Sequence, residues 1–273
     1  MARSRRVWNR SVFSRYLKEG RGQGVGVDYR PWIQVQDFPS LGMVSRVSGA
    51  KTGRIHHLMS NLELSLFYLL DWSEDVLDIR EQYPLLDLAQ AVEIAECAQI
   101  KYPYDKKSGF PYVLTSDFYL ETKQGAKVVS VKSSSELGKM RVREKLEIER
   151  RYWTERGVGW SIVTGNEINR TKASNIEWLS QAKDLMAFGM TEDMRNACCE
   201  YFLESYSFAC HTLVVLFKAV ESAFGLIAGM GLNIYKHLAY WKRIAFDVNK
   251  KVDLAEFGAS PVLRYAPEVC CGY

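Results

Sequence analysis

The first regular feature along the chain is a helix with one apolar face. Leu62, Leu66 and Leu69 recur at helical spacing, and Ser60 precedes them in the position of an N-cap residue. Glu63, three residues after Ser60, completes the sequence pattern of a capping box. The pattern therefore predicts a helix that begins at Ser60 and carries Glu63 in its first turn.

Strand patterns follow this helix and predict a sheet. Runs rich in β-branched and aromatic residues that end in turn residues are typical of strands. Residues 90–112 are predicted to be an excursion outside the sheet. The predicted elements are strands at 76–84, 115–121, 127–132 and 160–164 and a long charged helix at 136–156. The order helix, three strands, helix, strand is typical of a mixed α/β domain with one central sheet.

From about residue 172 the pattern becomes helical. Four apolar-faced segments at 176–188, 192–210, 212–224 and 232–241 are followed by one strand candidate at 243–248. A second, mostly helical domain is therefore predicted. The strand candidate leaves open a small wing, as in a winged helix. We divide the chain into a basic Gly- and Arg-containing arm (residues 1–26), an α/β domain (27–170) and a helical domain with a tail (171–273).

Charge is distributed unevenly along the chain. Residues 171–273 contain 10 Lys and Arg against 11 Asp and Glu, so residues 1–170 hold the remaining 26 against 21. In the arm, seven basic residues face only one acidic residue, Glu19. That density suits phosphates or another polyanion, and a solvated basic tail is the alternative. The glycine-rich segment 20–26 follows no predicted strand, which excludes a dinucleotide-binding fingerprint.

The cysteines and the apolar runs indicate the cellular compartment. Six cysteines form no CxxC pair, and no secretory signal precedes them. The longest apolar run, near residues 223–232, is interrupted by glycines and is shorter than the roughly 20 residues of a membrane span. We therefore expect a cytoplasmic protein with reduced thiols and no membrane segment.

A predicted hairpin brings an acid and a lysine together. If the turn centres on Gln124 and Gly125, Asp117 lies directly opposite Lys132, with side chains about 5 Å apart. Ser130 lies on the same face as Lys132 because strand side chains alternate. An ordinary cross-strand ion pair, which contributes less than about 1 kcal/mol, is the alternative to a functional site.

The element order, with an acid on a helix, an Asp on a strand and a following strand that ends in x-Lys, resembles the restriction-endonuclease superfamily. Within that superfamily the chain resembles the TnsA family, the subunit of heteromeric transposases that cleaves near 5′ ends. The segments that carry the resemblance are 18–24 (KEGRGQG), 53–64 (GRIHHLMSNLEL), 76–85 (VLDIREQYPL), 116–118, 131–132, 145–153 (KLEIERRYW), 167–169 and 175–179.

The resemblance implies a restriction-endonuclease-like mixed sheet flanked by helices and a metal-dependent DNA endonuclease. It implies that Glu63, Asp117 and Lys132 are catalytic. Glu63, Asp117 and the Val131 carbonyl are the implied ligands of Mg²⁺, for which Mn²⁺ can substitute. A hard cation with oxygen ligands suits phosphodiester hydrolysis. Ser130 stands where relatives carry an acid or Gln, and its hydroxyl can ligate a metal through a water but brings no charge. For Glu63, a purely capping role is the alternative.

Basic residues of the matching segments and of the arm are predicted to contact DNA: Arg15, Lys18, Arg21, Arg54, His56 and His57. The resemblance implies a bacterial protein that works on mobile-element ends with a TnsB-type transposase. It also implies a TnsC-type AAA+ ATPase, contacted through the C-terminal domain. Two alternatives stay open, namely a stand-alone restriction or repair nuclease of the same fold and a catalytically inactive transposition adaptor.

Overall fold

The structure is a computed structural model that describes residues 7–37, 43–208, 212–255 and 257. The chain divides into two compact units, Met1–Ile168 and Asn169–Tyr273. The helices and strands of the first unit are α1 (Arg10–Lys18), β1 (Ser45–Ser48), β2 (Ile55–Leu58), α2 (Asn61–Trp72), β3 (Val76–Pro84), α3 (Leu88–Cys97), β4 (Thr115–Thr122), β5 (Gly125–Lys132), α4 (Ser134–Leu137), α5 (Met140–Thr154) and β6 (Gly159–Thr164).

A mixed four-stranded sheet in the order β3-β4-β5-β6 forms the centre of the first unit. Strands β3, β4 and β5 are antiparallel neighbours, and β6 runs parallel to β5. A parallel pair needs a crossover connection, which α4 and α5 provide here. This confirms the predicted mixed sheet with flanking helices. The predicted helix 136–156 is divided in two at Gly138 and Lys139.

The turn of the β4–β5 hairpin differs from the prediction. Thr122 pairs with Gly125, so the turn is Lys123-Gln124, one residue earlier than expected. Gly125 has a φ of +110°, a conformation that favours glycine. Continuing this register places Asp117 opposite Ser130 rather than Lys132. Because the pairing moves by two residues, Asp117 and Lys132 still lie on one face of the sheet.

Residues 90–112 lie outside the sheet, as predicted, but they are not separate from the core. Helix α3 occupies the first part of this stretch and packs small apolar side chains into the main core. Two of its three buried residues are alanines, which give a weak amphipathic signal. The core cluster that includes α3 consists of Leu85, Ala91, Ile94, Ala95, Tyr102, Val128, Ile148, Tyr152 and Trp153.

The described part of the basic arm is folded. Asn9 caps α1 by accepting a hydrogen bond from the Val12 amide (3.0 Å). Trp8 donates to the Pro111 carbonyl (2.8 Å), and its ring contacts those of Trp32 and Tyr112. Residues 7–18 are therefore attached to the body of the unit. The hairpin of β1 and β2 was not predicted, because each strand has only four residues.

The second unit contains helices α6 (Arg170–Ser180), α7 (Glu192–Phe208), α8 (Leu213–Phe224) and α9 (Met230–Tyr240). The predicted strand at 243–248 is wrong, so this segment forms no wing. The Asn175 side-chain amide instead donates to the carbonyls of Val248 (2.8 Å) and Lys250 (2.7 Å). These bonds satisfy carbonyls that a strand partner would otherwise bind. The predicted partner-binding tail beyond Phe257 lies outside the described residues.

Aromatic residues of the second unit contribute to its core. Phe202 and Tyr235 are buried, and Phe217 and Phe257 contact the Tyr235 ring. Trp241, which directly follows α9, is half exposed. None of the helices in the described ranges has the length and apolar character that a membrane span requires.

Candidate active site

Asp117 and Lys132 form an ion pair at the centre of the sheet. Lys132 Nζ donates to Asp117 Oδ2 (2.7 Å) and to the carbonyl oxygen of Val131 (2.8 Å). The same Asp117 oxygen accepts from the Val131 amide (2.6 Å). Burial lowers the pKa of Lys132, but the charge of Asp117 and its hydrogen bond raise it above the ordinary value. The contact predicted from the hairpin is present, although the register differs.

Glu63 faces this pair from the first turn of α2. Its carboxylate accepts hydrogen bonds from the Met59 amide (2.9 Å) and from Ser60 Oγ (3.0 Å), and Ser60 Oγ accepts from the Glu63 amide (3.1 Å). Glu63 therefore does belong to the helix cap. Burial raises its pKa to about 7, and the nearby charge of Asp117 adds to the rise. The capping interpretation and the site interpretation are thus compatible.

Ser130 contacts Glu149, an acidic residue that the sequence did not indicate as part of the site. Its hydroxyl donates to Glu149 Oε1 (2.5 Å), and both side chains are buried. Burial raises the pKa of Glu149 to about 7; the hydrogen bond from Ser130 opposes the rise, and the charge of Asp117 adds to it. Glu149 shares a helix face with Leu146 and Trp153, so a charged residue at an apolar position was the available signal. A carboxylate from α5 therefore lies directly beside the position where relatives carry an acid or Gln.

The arrangement can accept a cation. The ammonium of Lys132 is bound by two oxygen atoms, Asp117 Oδ2 and the Val131 carbonyl, which converge on one point. These are two of the oxygen atoms that the resemblance implies as metal ligands. Within the described residues, no group of three His, Cys, Asp or Glu side chains is arranged to hold a metal. A metal at this site would therefore need the backbone carbonyl in addition to carboxylates.

A second buried network lies beside the site, between β2 and β3. Glu81 accepts two hydrogen bonds from the Arg54 guanidinium (2.9 and 2.6 Å) and one from the His57 amide (3.0 Å). His56 Nδ1 is 2.8 Å from Glu81, and its Nε2 is 2.7 Å from the hydroxyl of Thr52. Burial raises the pKa of Glu81, but His56 and Arg54 lower it to about 2 overall. Glu81 thus holds the two strands together as a buried anion.

Two residues that the sequence predicts as DNA contacts belong to this network. Arg54 and His56 are 9% and 0% exposed, which leaves almost no side-chain surface for DNA, and their contact with DNA stays a prediction. His57 is half buried, with Nδ1 accepting from the Val35 amide (3.1 Å), and burial lowers its pKa. Its contact with DNA stays a prediction.

Arg21 is also a structural residue. It is 8% exposed and pairs with Asp37 and Glu19, so little of its side chain is accessible, and its contact with DNA stays a prediction. The sequence showed a basic run with Glu19 but not the contact with Asp37. Arg15 and Lys18, in contrast, are exposed on α1, although Arg15 lies 3.5 Å from Glu19. DNA contact by these two residues stays a prediction.

Comparison with known proteins identifies the family of this chain. Residues 73–165 match the family model described as TnsA-like endonuclease N terminal, and residues 167–248 match TnsA endonuclease C terminal. The transposition protein TnsA of transposon Tn7 from Escherichia coli is 44% identical over 186 residues, which is 67% of each chain. Because family models match residues in both units and this relative is 44% identical, the chain belongs to the TnsA endonuclease family.

Proposed function

We propose that this protein is a metal-dependent DNA endonuclease that cleaves near the 5′ ends of a mobile element during transposition. One observation carries the proposal: Asp117 Oδ2 and the Val131 carbonyl bind the Lys132 ammonium at 2.7 and 2.8 Å. Two oxygen atoms that converge on a cation, with Glu63 and Glu149 nearby, are suited to Mg²⁺ or Mn²⁺. The name of the Tn7 relative supports a role in transposition.

The residues have distinct proposed roles. Asp117, the Val131 carbonyl and Glu63 would hold the metal, and Ser130 would act through its bond to Glu149. When bound, the metal would neutralise negative charge that develops on the phosphodiester. Lys132 would donate a hydrogen bond to the phosphate or to the attacking water, because its ammonium lies beside the same oxygen atoms.

The proposed activity is tested by a strand-resolved cleavage assay on supercoiled DNA that carries both element ends. With a TnsB-type transposase, a TnsC-type ATPase and Mg²⁺, we expect this protein to add 5′-end cuts. Efficient cutting by the protein alone would favour a stand-alone nuclease. Absence of 5′ cuts from the complete mixture would favour an inactive adaptor.

Exposed basic residues near the site are the proposed phosphate contacts. Lys145 lies one turn before Glu149 on α5, which brings it near enough to Lys132 for the two charges to interact. It makes no ion pair with any residue in the described part of the chain, so it can bind a phosphate without losing an internal partner. With Arg15 and Lys18 of α1, it replaces the buried arginines in our proposed DNA surface.

Replacing Lys145 with alanine should weaken DNA binding equally for all sequences. One lost phosphate contact should also reduce the slope of log affinity against log salt by about 1. Arg150→Ala is the matched control, because Arg150 lies on another face of α5 and pairs with Glu147 at 2.8 Å. Fluorescence anisotropy across a salt series measures the DNA affinity of each variant and the dependence of that affinity on salt. Equal slopes for Lys145→Ala and wild type would remove Lys145 from the DNA surface.

The C-terminal unit is the proposed docking site for the AAA+ ATPase. Phe257 contacts the rings of Trp178, Phe217 and Tyr235, so it belongs to the core of this unit. Truncation immediately after Phe257 should therefore preserve folding, as measured by circular dichroism, and abolish ATPase binding in a calorimetric titration. Truncation before Phe257 is the contrasting variant and should also destabilise the unit. Undiminished ATPase binding after removal of residues 258–273 would place the contact elsewhere.

A further inference from the structure

Gln82 has an unusual backbone for a residue in a strand. Its φ is +49°, in the left-handed region that non-glycine residues adopt at a free-energy cost. The other described non-glycine residues with positive φ, Gln99 and Lys242, are exposed and directly follow the ends of α3 and α9. Left-handed residues are common at helix ends. Gln82 is instead inside β3 and only 4% exposed, so helix termination does not explain it.

The position of Gln82 is fixed from both sides. Its carbonyl accepts a hydrogen bond from the Trp32 amide (3.3 Å), and the preceding Glu81 is held by Arg54 and the His57 amide. In the β3–β4 ladder, Glu81 pairs with Phe118 and Tyr83 with Ser116. Gln82 is therefore the residue of β3 that stands opposite Asp117. Strained residues persist where their surroundings determine the conformation in this way.

The Gln82 side chain holds Glu63, one of the acids of the candidate site. Its amide Nε2 donates to Glu63 Oε2 (3.1 Å), and its Oε1 accepts from the Thr115 hydroxyl (3.3 Å). An ionised carboxylate can only accept, so Glu63 requires the NH₂ end of the amide, and the Thr115 hydroxyl donates to the other end. An amide suits this place because a carboxylate would add a third negative charge beside Glu63 and Asp117. Glycine would adopt the same backbone without strain, but it has no group to hold Glu63.

We propose that Gln82 is a positioning residue that orients the Glu63 carboxylate toward the cation site of Asp117 and Val131. The inference rests on the proposed metal-dependent nuclease function and adds to it a residue that would not itself bind the metal. Groups that orient metal ligands typically change metal affinity by about 10- to 100-fold when they are lost.

The test is a calorimetric titration of the full chain with Mn²⁺, together with urea unfolding. Gln82→Gly removes the amide and relieves the strained backbone, so we expect Mn²⁺ affinity to fall by about 10- to 100-fold without a matching loss of stability. Gln99→Gly is the matched control, because it makes the same substitution at an exposed left-handed residue after α3. It should bind Mn²⁺ as the wild type does. The 5′-end cutting by Gln82→Gly should recover as Mn²⁺ is raised.

A second variant keeps the test decisive if Gln82→Gly does not fold. Gln82→Asn tolerates the left-handed backbone, and its shorter amide cannot keep the bonds to both Glu63 and Thr115. Wild-type Mn²⁺ affinity in either folded variant would overturn the inference. Asp117→Asn is measured in the same titration. If this variant bound Mn²⁺ with wild-type affinity, the proposed metal site itself would be overturned. Loss of binding in Asp117→Asn with normal binding in Gln82→Gly would remove only the role of Gln82.

Discussion

Replacing Asp117 with asparagine should reduce 5′-end cutting by more than about 1000-fold while the protein stays folded. Asparagine keeps the shape of the side chain and an oxygen that can accept from the Val131 amide. It removes the negative charge that attracts a cation and that now binds the Lys132 ammonium at 2.7 Å. The loss should therefore appear in cleavage and not in thermal stability.

The strand-resolved assay contains its own control for this variant. We propose that the partner transposase cuts the 3′ ends, so 3′-end cutting should continue with Asp117→Asn and show that assembly is intact. Lys132→Ala should lose 5′ cutting by about 10²- to 10⁴-fold, the range for a group that assists proton transfer or orients water. If 5′ cuts by Asp117→Asn persisted at the wild-type rate, Asp117 would have no catalytic role.

Replacing Glu81 with glutamine should cause the largest loss of stability. The Glu81 side chain is 0% exposed and is the counter-charge of the buried Arg54 guanidinium. Removing one partner leaves the other buried without compensation, which costs about 3–5 kcal/mol. We expect the free energy of unfolding in urea to fall by that amount.

Glu147→Gln is the control for the effect of burial. Hydrogen bonds from Arg150 and Arg151 lower the pKa of Glu147 to about 2, as low as that of Glu81, but Glu147 lies on the surface of α5. Exposed ion pairs contribute about 0–1 kcal/mol, so this variant should remain close to wild type. Equal destabilisation by both substitutions would contradict a structural role for the Glu81 network.

The pH dependence of stability provides a second measurement of Glu81. Its pKa in the folded protein is lowered from 4.5 to about 2, so its contribution is complete above the higher value. That contribution is lost as the pH falls from about 4.5 toward 2. The stability of Glu81→Gln should therefore decline less steeply over this interval than that of the wild type.

Local patterns predicted the elements that position the site. The bounds of β3 follow from its strand composition and Pro84, and the capping-box sequence pattern at Ser60 correctly placed Glu63 in the first turn of α2. The contact of Asp117 with Lys132 was predicted from a turn placed one residue too late. The prediction was still correct, because a two-residue change in register keeps a side chain on the same face of the sheet.

The remaining features depend on contacts between distant residues. Arg54 and Glu81 are 27 residues apart, and neither the helical nor the strand period relates them. Gln82 adopts its left-handed backbone because Trp32 and the Glu81 network fix it, so its own sequence neighbourhood predicts only an extended residue. Similarly, the sequence shows Arg21 only as one member of a basic run, because its ion pair with Asp37 forms only in the folded chain.

The central proposal, a divalent-cation site at Asp117 and the Val131 carbonyl, is tested most directly by comparing Mn²⁺ binding to the full-length wild type and to Asp117→Asn. Calorimetric titration without DNA isolates binding from cleavage and from the partner proteins. We expect one saturable binding event in the wild type that is lost in Asp117→Asn, with both proteins equally folded by circular dichroism. Identical Mn²⁺ binding by the two proteins, or none by the wild type, would contradict the proposed site.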